Sequence, residues 1–481
     1  MSNYKSFFNE LLKRPFNLSD VISSTLVGSN LNSRFNSKSD IDLIVITKNL
    51  NKNNFTKIKK LIKSINLSNY KLEKYKIVIN STFGPLKFEK KDQIIIHLMI
   101  YDIKGHINHV LESPFTCFDW ERSKKFLGVS LKEIFSVGNL TLNDFFNNRR
   151  GVKSYIADLK EGVVTYRKYI FENKNYHLIK KKKKINNLLY KCEYSYHIFN
   201  NLIINFYKFT SQENIKINNE FFKILFLDIT ENDFDLYNKF LLLKNIKIMR
   251  NTKLNKNLNF LDDTLKFINY FYKKITYFKK NSIKITYRRH AKTNFNKNIF
   301  LGQKINPGIL VNTKNKKFNI PKNHYDICYS SQLKRSIQSS KLFINDQFIH
   351  KNKLLNEIDY GLAEGLTYKD IELSYPYIIK DWNKNIDVRF PNGENNTDLL
   401  IRLKKFNSLI LSKHSKKENT KILVVTHNAF IRALIGNFFN IPIYKWHKIK
   451  INYLERIEAL IIDKKIILNI SRIKIFKIAS L

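Results

Sequence analysis

The sequence predicts a multidomain α/β protein, with an α/β domain at each end and an α-helical region between them. Three observations predict it. Near the start, Leu26-Val27-Gly28-Ser29 is followed after ten residues by Asp40-Ile41-Asp42 and an apolar run. In the middle, apolar residues recur at helical spacing and glycine is scarce. In the last part, two strand-like runs end in Arg289-His290 and in His427-Asn428. Boundaries are expected at 1–105, 106–280 and 281–481.

In the first region, residues 41–46 alternate and then run apolar, as a buried strand does. Residues i and i+2 of a strand share a face, so Asp40 and Asp42 project together. Two neighbouring carboxylates repel unless a cation lies between them. Mg²⁺ is held in this way, by one or two carboxylates plus substrate phosphates. Gly28 and Ser29, at a turn, can offer backbone N–H groups and a hydroxyl to a triphosphate. The Gly-Ser, spacer, Asp-x-Asp pattern resembles the nucleotidyltransferase (polymerase-β-like) fold, particularly its small bacterial members. The match runs closely over 18–47 and loosely to about 104. The resemblance implies that Asp40 and Asp42 hold Mg²⁺ and position an NTP for transfer of its NMP to an acceptor. That family takes a third carboxylate from a later strand. The candidate strand, 93–101, carries His97 at its centre, and Asp102 at its end faces the other way. The alternatives are that the carboxylates cap a solvent-facing strand edge, or that this part only binds a nucleotide, RNA or protein.

Helices are expected over 152–171, 186–209, 219–227, 239–250 and 260–277. Tyr155, Tyr166, Tyr169, Phe199 and Phe206 are expected in their core. The lysine run 180–184 reads as a solvated helix face or loop. Lys279-Lys280-Asn281 reads as the linker into the last domain.

In that domain, residues 283–287 and 421–426 read as strands, and each ends in a histidine. Arginine beside histidine at a strand end suits a phosphate: arginine is a planar fork of donors, and a neutral histidine can attack phosphorus. A short strand at 325–329 leads into a serine-capped helix with Arg335 in its first turns. The loop from Asn356-Glu357 to Gly365, then Gly393-Glu394 and Arg402, complete the set. These separated motifs resemble the histidine phosphatase superfamily, the phosphoglycerate mutase-like fold, from about residue 282 onwards. The resemblance implies a three-layer α/β/α domain in which His290 becomes phosphorylated. It implies that Arg289, Arg335 and His427 hold the phosphoryl oxygens, with Asn296 and Asn428 as substrate contacts. Glu357 would protonate the leaving oxygen, and no metal or other cofactor is required. The sequence departs from the family at Ala291, Lys292 and Asn395. The expected activity is hydrolysis of a phosphomonoester on a small molecule, with phosphoglycerate mutase-type transfer as the alternative.

Composition sets the remaining bounds. At 481 residues the chain has room for two or three domains, and a hydrophobic fraction of 43% suffices for their cores. No apolar run reaches the roughly 18 residues of a membrane span. The first residues lack the pattern of a signal peptide, so a cytoplasmic location without membrane attachment is expected. Cys117, Cys192 and Cys328 have neither disulfide nor zinc spacing. The net charge of +45 invites nucleic acid as a partner. The excess is mostly lysine spread along the chain, beside heavy use of Asn, Ile, Phe and Tyr. These types share AT-rich codons, so base composition accounts for much of it without a nucleic-acid partner.

Overall fold

Apolar runs near the N-terminus pair into one five-stranded sheet. Its strands are β1 (Val21–Val27), β2 (Ile41–Thr47), β3 (Lys76–Asn80), β4 (Gln93–Asp102) and β5 (Phe126–Gly128), in the order β3-β4-β2-β1-β5. The computed structural model describes residues 2–28, 40–83, 92–147, 151–172, 175–249, 260–295, 298–310, 312, 321, 323–414, 419–472 and 474–475. β2, β3 and β4 run parallel, and β1 lies antiparallel to β2 and to β5. Nearly every residue of β2 is buried, as expected of a strand covered on both faces. Helices Ser2–Lys13 and Lys52–Lys63 bury Phe7, Leu11, Ile58 and Ile62 in the core of this sheet. The parallel register sets Asp42 directly beside His97.

The region expected to be one helix over 152–171 is a helix followed by a strand. Val152–Glu161 is helical, and Gly162 ends it in left-handed backbone at φ +62. Val163, Val164 and Thr165 follow, three β-branched residues that favour a pleated backbone. They open β6 (Val163–Glu172), which pairs antiparallel with β7 (Asn175–Lys184). Lysines 180–184 therefore lie on a strand, not on a helix face or loop, and all are exposed. Among the described residues β7 pairs only with β6, and lysines on an open edge discourage pairing with another chain. Tyr166 and Tyr169 lie on β6 rather than on a helix. The Tyr169 hydroxyl donates to the Ile100 carbonyl at 2.6 Å and accepts from its N–H at 2.8 Å. It satisfies β4 beyond the point, His97, where pairing with β3 stops.

Helices Leu188–Ser211, Asn219–Ile229, Phe234–Met249 and Phe260–Asn281 match the other expected helical stretches. Their core is aromatic: Phe199 stacks on Phe267 at 4.4 Å and on Phe226 at 5.8 Å. The expected linker 279–281 is the last turn of the final helix. The chain divides into two compact units, Met1–Val137 with Asp144–Lys274, and Gly138–Asn143 with Ile275–Leu481. Among the described residues no helix is long and apolar enough to cross a membrane.

The second unit is built on six strands, β8 (Ile283–Arg289), β9 (Ile327–Ser330), β10 (Ile349–Lys351), β11 (Lys421–Thr426), β12 (Arg456–Ile462) and β13 (Lys465–Leu468). Their order is β10-β9-β11-β8-β12-β13, with the first four parallel, β12 antiparallel to β8 and β13 antiparallel to β12. Ile422, Leu423, Val424 and Val425 of β11 are all 0% exposed, so both faces of the sheet are covered. On one face Leu423 and Val425 pack with Cys328, Phe343 and Ile344. The sheet is the middle layer of an α/β/α domain. Thr426 lies level with Arg289, and Val425 with Ser330. Three parallel strands thus end together, and the residues that follow them, His290, Ser331 and His427, line one edge. In open α/β sheets that carboxyl edge is where ligands bind.

Candidate active sites

His290 is buried at the end of β8, with its N–H bound to the Thr426 carbonyl at 2.9 Å. Its ring Nδ1 stands 2.7 Å from the Ala291 carbonyl oxygen. A carbonyl only accepts, so Nδ1 carries the proton and Nε2 keeps the lone pair. Burial, reinforced by the Arg335 and Arg289 guanidinium groups, holds this ring well below the usual imidazole range. A ring that resists protonation remains a nucleophile.

The cations around it are held from behind. Arg289 lies 3.9 Å over the Tyr453 ring and donates to the Ile451 carbonyl at 2.6 Å. Arg335, in helix Lys334–Ser340, is fully buried and donates to the carbonyls of Gly302 at 2.7 Å and Ile305 at 3.3 Å. That loop is itself tied down by Glu364, which accepts from the N–H groups of Gln303, Lys304 and Ile305. Among the described residues, the Nε atoms of Arg289 and Arg335 are buried without a hydrogen-bond partner. Unmatched buried polar atoms are costly, and a bound oxyanion is the group that would match them.

His427 caps helix Asn428–Phe438 and its ring centre lies 5.0 Å from that of His290. Its Nε2 meets the Ser331 hydroxyl at 2.8 Å. That hydroxyl donates to Asn356 Oδ1 at 3.0 Å, so it accepts from His427. Burial, then Arg335, His290, Arg289 and Arg402, hold the His427 ring well below its usual range too.

Two depressed histidines have a consequence for stability. Above about pH 6.5 both rings are neutral in folded and unfolded chains alike and contribute nothing. As the pH falls below that value, the unfolded chain takes protons that the folded site refuses, so stability decreases towards acid. Thermal midpoints of the wild type are expected to fall more steeply between pH 6.5 and 5 than those of the His290→Gln/His427→Gln variant. Parallel slopes would contradict this.

Glu357 lies in the loop after helical turn Lys353–Leu355, and its Oε1 accepts from the N–H groups of Ile358 at 3.0 Å and Ala429 at 3.2 Å. The loop is clamped by Arg402, which donates to the carbonyls of Leu354, Asn356 and Glu357 and grips Glu394 through two nitrogens at 2.8 and 2.7 Å. Glu394 in turn accepts from the Asp359 N–H at 3.0 Å. Glu394 and Arg402 thus position Glu357, and Glu364 organises the loop behind Arg335. With its side-chain amide turned so that the oxygen faces Arg432, Asn428 accepts from both terminal nitrogens of Arg432 at 3.3 Å. Asn296 lies outside the described residues.

Sequence reading missed Arg432, Ser331, Asn356 and Tyr453. Arg432 is four residues after Asn428, hence on the same helix face, and its charge acts on Glu357, Tyr360 and Arg289. That spacing was a usable signal. Tyr453 had none, because only folding brings it over Arg289.

Residues 288–468 match the family model for the histidine phosphatase superfamily (branch 1). The C-terminal unit is a histidine phosphatase domain. Residues 5–101 match the nucleotidyltransferase domain, a stretch that carries β1 to β4 of the N-terminal sheet. Among curated proteins, the chain is similar to fructose-2,6-bisphosphatase of Saccharomyces cerevisiae, 30% identical over 133 residues, which are 27% of this chain and 28% of that one. It is also similar to human 6-phosphofructo-2-kinase/fructose-2,6-bisphosphatase 4, 33% identical over 114 residues, 23% of this chain and 22% of the relative. The chain therefore spans under a third of the length of these relatives. Among solved structures, the alpha-ribazole phosphatase of Shigella flexneri is 20% identical, with a TM-score of 0.34 over 39% of this chain and 94% of the other.

The nucleotidyltransferase domain has its own constellation. Gly28 has φ +91, and a Cβ there would stand 2.4 Å from Asp42 Oδ2, so only glycine fits. Ser29 lies outside the described residues. Asp42 Oδ1 is 2.8 Å from His97 Nδ1, and His97 Nε2 is 2.6 Å from the Thr82 carbonyl oxygen. Both partners are acceptors, so the ring donates from both nitrogens. Burial opposes that charge, but the Asp42 carboxylate, the Thr82 carbonyl and the Asp40 charge outweigh it and raise the ring above the usual imidazole range. Asp102 is engaged elsewhere, capping helix Ile103–Glu112 through the Gly105 N–H at 2.6 Å. Among the described residues no group of three or more histidine, cysteine, aspartate or glutamate side chains could hold a metal. The described residues Asp40, Asp42 and His97 do not by themselves fit a two-Mg²⁺ site.

Proposed function

We propose that the phosphatase domain hydrolyses a phosphomonoester through a phosphohistidine at His290. The observation that carries this reading is the His290 ring, held neutral with Nε2 unprotonated among guanidinium groups that have buried, unmatched nitrogens. Nε2 attacks phosphorus and the bond to the leaving oxygen breaks. Glu357 delivers a proton to that oxygen. Water then attacks the phosphohistidine, gives its proton to Glu357, and the P–N bond returns its electron pair to Nε2. Arg289 and Arg335 neutralise the equatorial oxygens throughout, and His427 donates to them once a bound phosphoryl dianion draws a proton onto its Nδ1.

The substrate is a small phosphorylated molecule with a further anionic group, which Arg432 and Asn428 would meet. The names of the curated relatives make fructose 2,6-bisphosphate the first compound to try. The test is phosphate release with EDTA present, from a panel that includes it and p-nitrophenyl phosphate. Retention of label on protein without release would instead favour the mutase reading.

The role of Glu357 makes a separate prediction. p-Nitrophenolate leaves without a proton, whereas an alkoxide does not. Glu357→Gln is expected to cost about 10²–10⁴-fold on an alkyl phosphate and far less on p-nitrophenyl phosphate. Equal losses on both would rule out proton delivery.

For the nucleotidyltransferase domain the reading is recognition of a nucleoside triphosphate at Gly28 and Asp40, supported by the match at 5–101. Transfer of its NMP would release pyrophosphate. Release that disappears in the Asp40→Ala/Asp42→Ala variant, with phosphatase activity spared, is the test of transfer.

A further inference from the structure

We propose that the nucleotidyltransferase domain takes at most one divalent cation and serves as a nucleotide-binding module, because His97 fills the place of a third acidic ligand and ties up Asp42. The inference rests on the nucleotide reading of this domain and concerns what the domain does with the nucleotide.

Two-metal transfer needs ions about 3.5–4 Å apart that share ligands, so that one polarises the attacking oxygen and the other the leaving phosphates. A carboxylate that bridges them must offer an oxygen to each. Here His97 competes for one of the Asp42 oxygens, and the other faces Gly28. Oδ1 is bound by His97 Nδ1 at 2.8 Å, and Oδ2 lies against the backbone of Gly28, where even a Cβ would come within 2.4 Å.

The parallel register of β2 and β4 places position 97 where a side chain can reach Asp42. A carboxylate there would add negative charge and create a cation site. The imidazole does the reverse, since it donates to Asp42 and has no nitrogen left to bind a metal. Its second nitrogen is held by the Thr82 carbonyl at 2.6 Å, and its side chain is only 16% exposed, so the ring is fixed from both ends. Asp102, the next acid along the chain, caps a helix instead. A single cation delivered with the triphosphate would be met by the Asp40–Asp42 pair.

The experiment counts Mn²⁺ bound per full-length chain by electron paramagnetic resonance, alone and with the α,β-methylene analogues of ATP, GTP, CTP and UTP. The Asp40→Asn/Asp42→Asn variant sets the background. Nucleotide retention by the wild type with at most one Mn²⁺ above background is expected, together with a second Mn²⁺ in His97→Asp. Two ions in the wild type would overturn the proposal. A folded His97→Asp that gains no ion would overturn the role given to His97. Should that variant not fold, the wild-type count decides alone. Absence of nucleotide binding to the wild type would refute the nucleotide reading itself, which the metal count does not address.

Discussion

Replacing His290 by alanine is expected to abolish metal-independent hydrolysis of p-nitrophenyl phosphate, a loss of about 10³-fold or more. The size follows from the chemistry. A phosphohistidine route divides one difficult displacement into two, and without Nε2 water must attack the ester directly. Packing should survive, because among the described residues the ring bonds only to the adjacent Ala291 carbonyl. The control is an unchanged circular dichroism spectrum together with loss of the acid-labile phosphoenzyme seen in the wild type. Activity within tenfold of the wild type would mean that another nucleophile does the work.

Arg335→Lys should be nearly as damaging, with a loss of about 10²–10³-fold. Arginine can grip the Gly302 and Ile305 carbonyls and still turn an N–H toward the phosphoryl group. Lysine is a point charge and cannot do these things at once. The charge is conserved in this substitution, so the loss isolates geometry. Arg335→Ala would in addition leave the carbonyls of the 302–305 loop short of donors, at about 1–3 kcal/mol for each one left buried and unmatched. Its thermal midpoint should fall, and inorganic phosphate should no longer raise it. A phosphate-induced rise equal to that of the wild type would place the anion elsewhere.

These predictions depend on features of unequal legibility. The strand-end histidines could be read locally, because a run such as 421–426 is apolar enough to be buried on both faces, and a polar residue that ends it must emerge at the sheet edge. Arg335 could be placed for a similar reason, in the first turn of the helix that follows a strand. The error at 152–171 is also local in origin. Its apolar positions fit a helix, but Gly162 and the β-branched residues after it argue for a break, and periodicity alone passes over them.

By itself, the sequence determined which chemical groups this chain owns and which of them sit at strand ends: His290, His427, Arg289, and the Asp40–Asp42 pair. Those are matters of local pattern, where a few neighbouring residues decide burial and direction. Tertiary structure alone decided who faces whom. The β2–β4 register set His97 against Asp42 across 55 positions of sequence, so that a side chain expected to lie beside a cation site binds its carboxylate instead. Folding likewise laid Tyr453 over Arg289 and joined His427 through Ser331 to Asn356. Such pairings follow from strand order and loop closure over long separations, and no window of local sequence contains both partners.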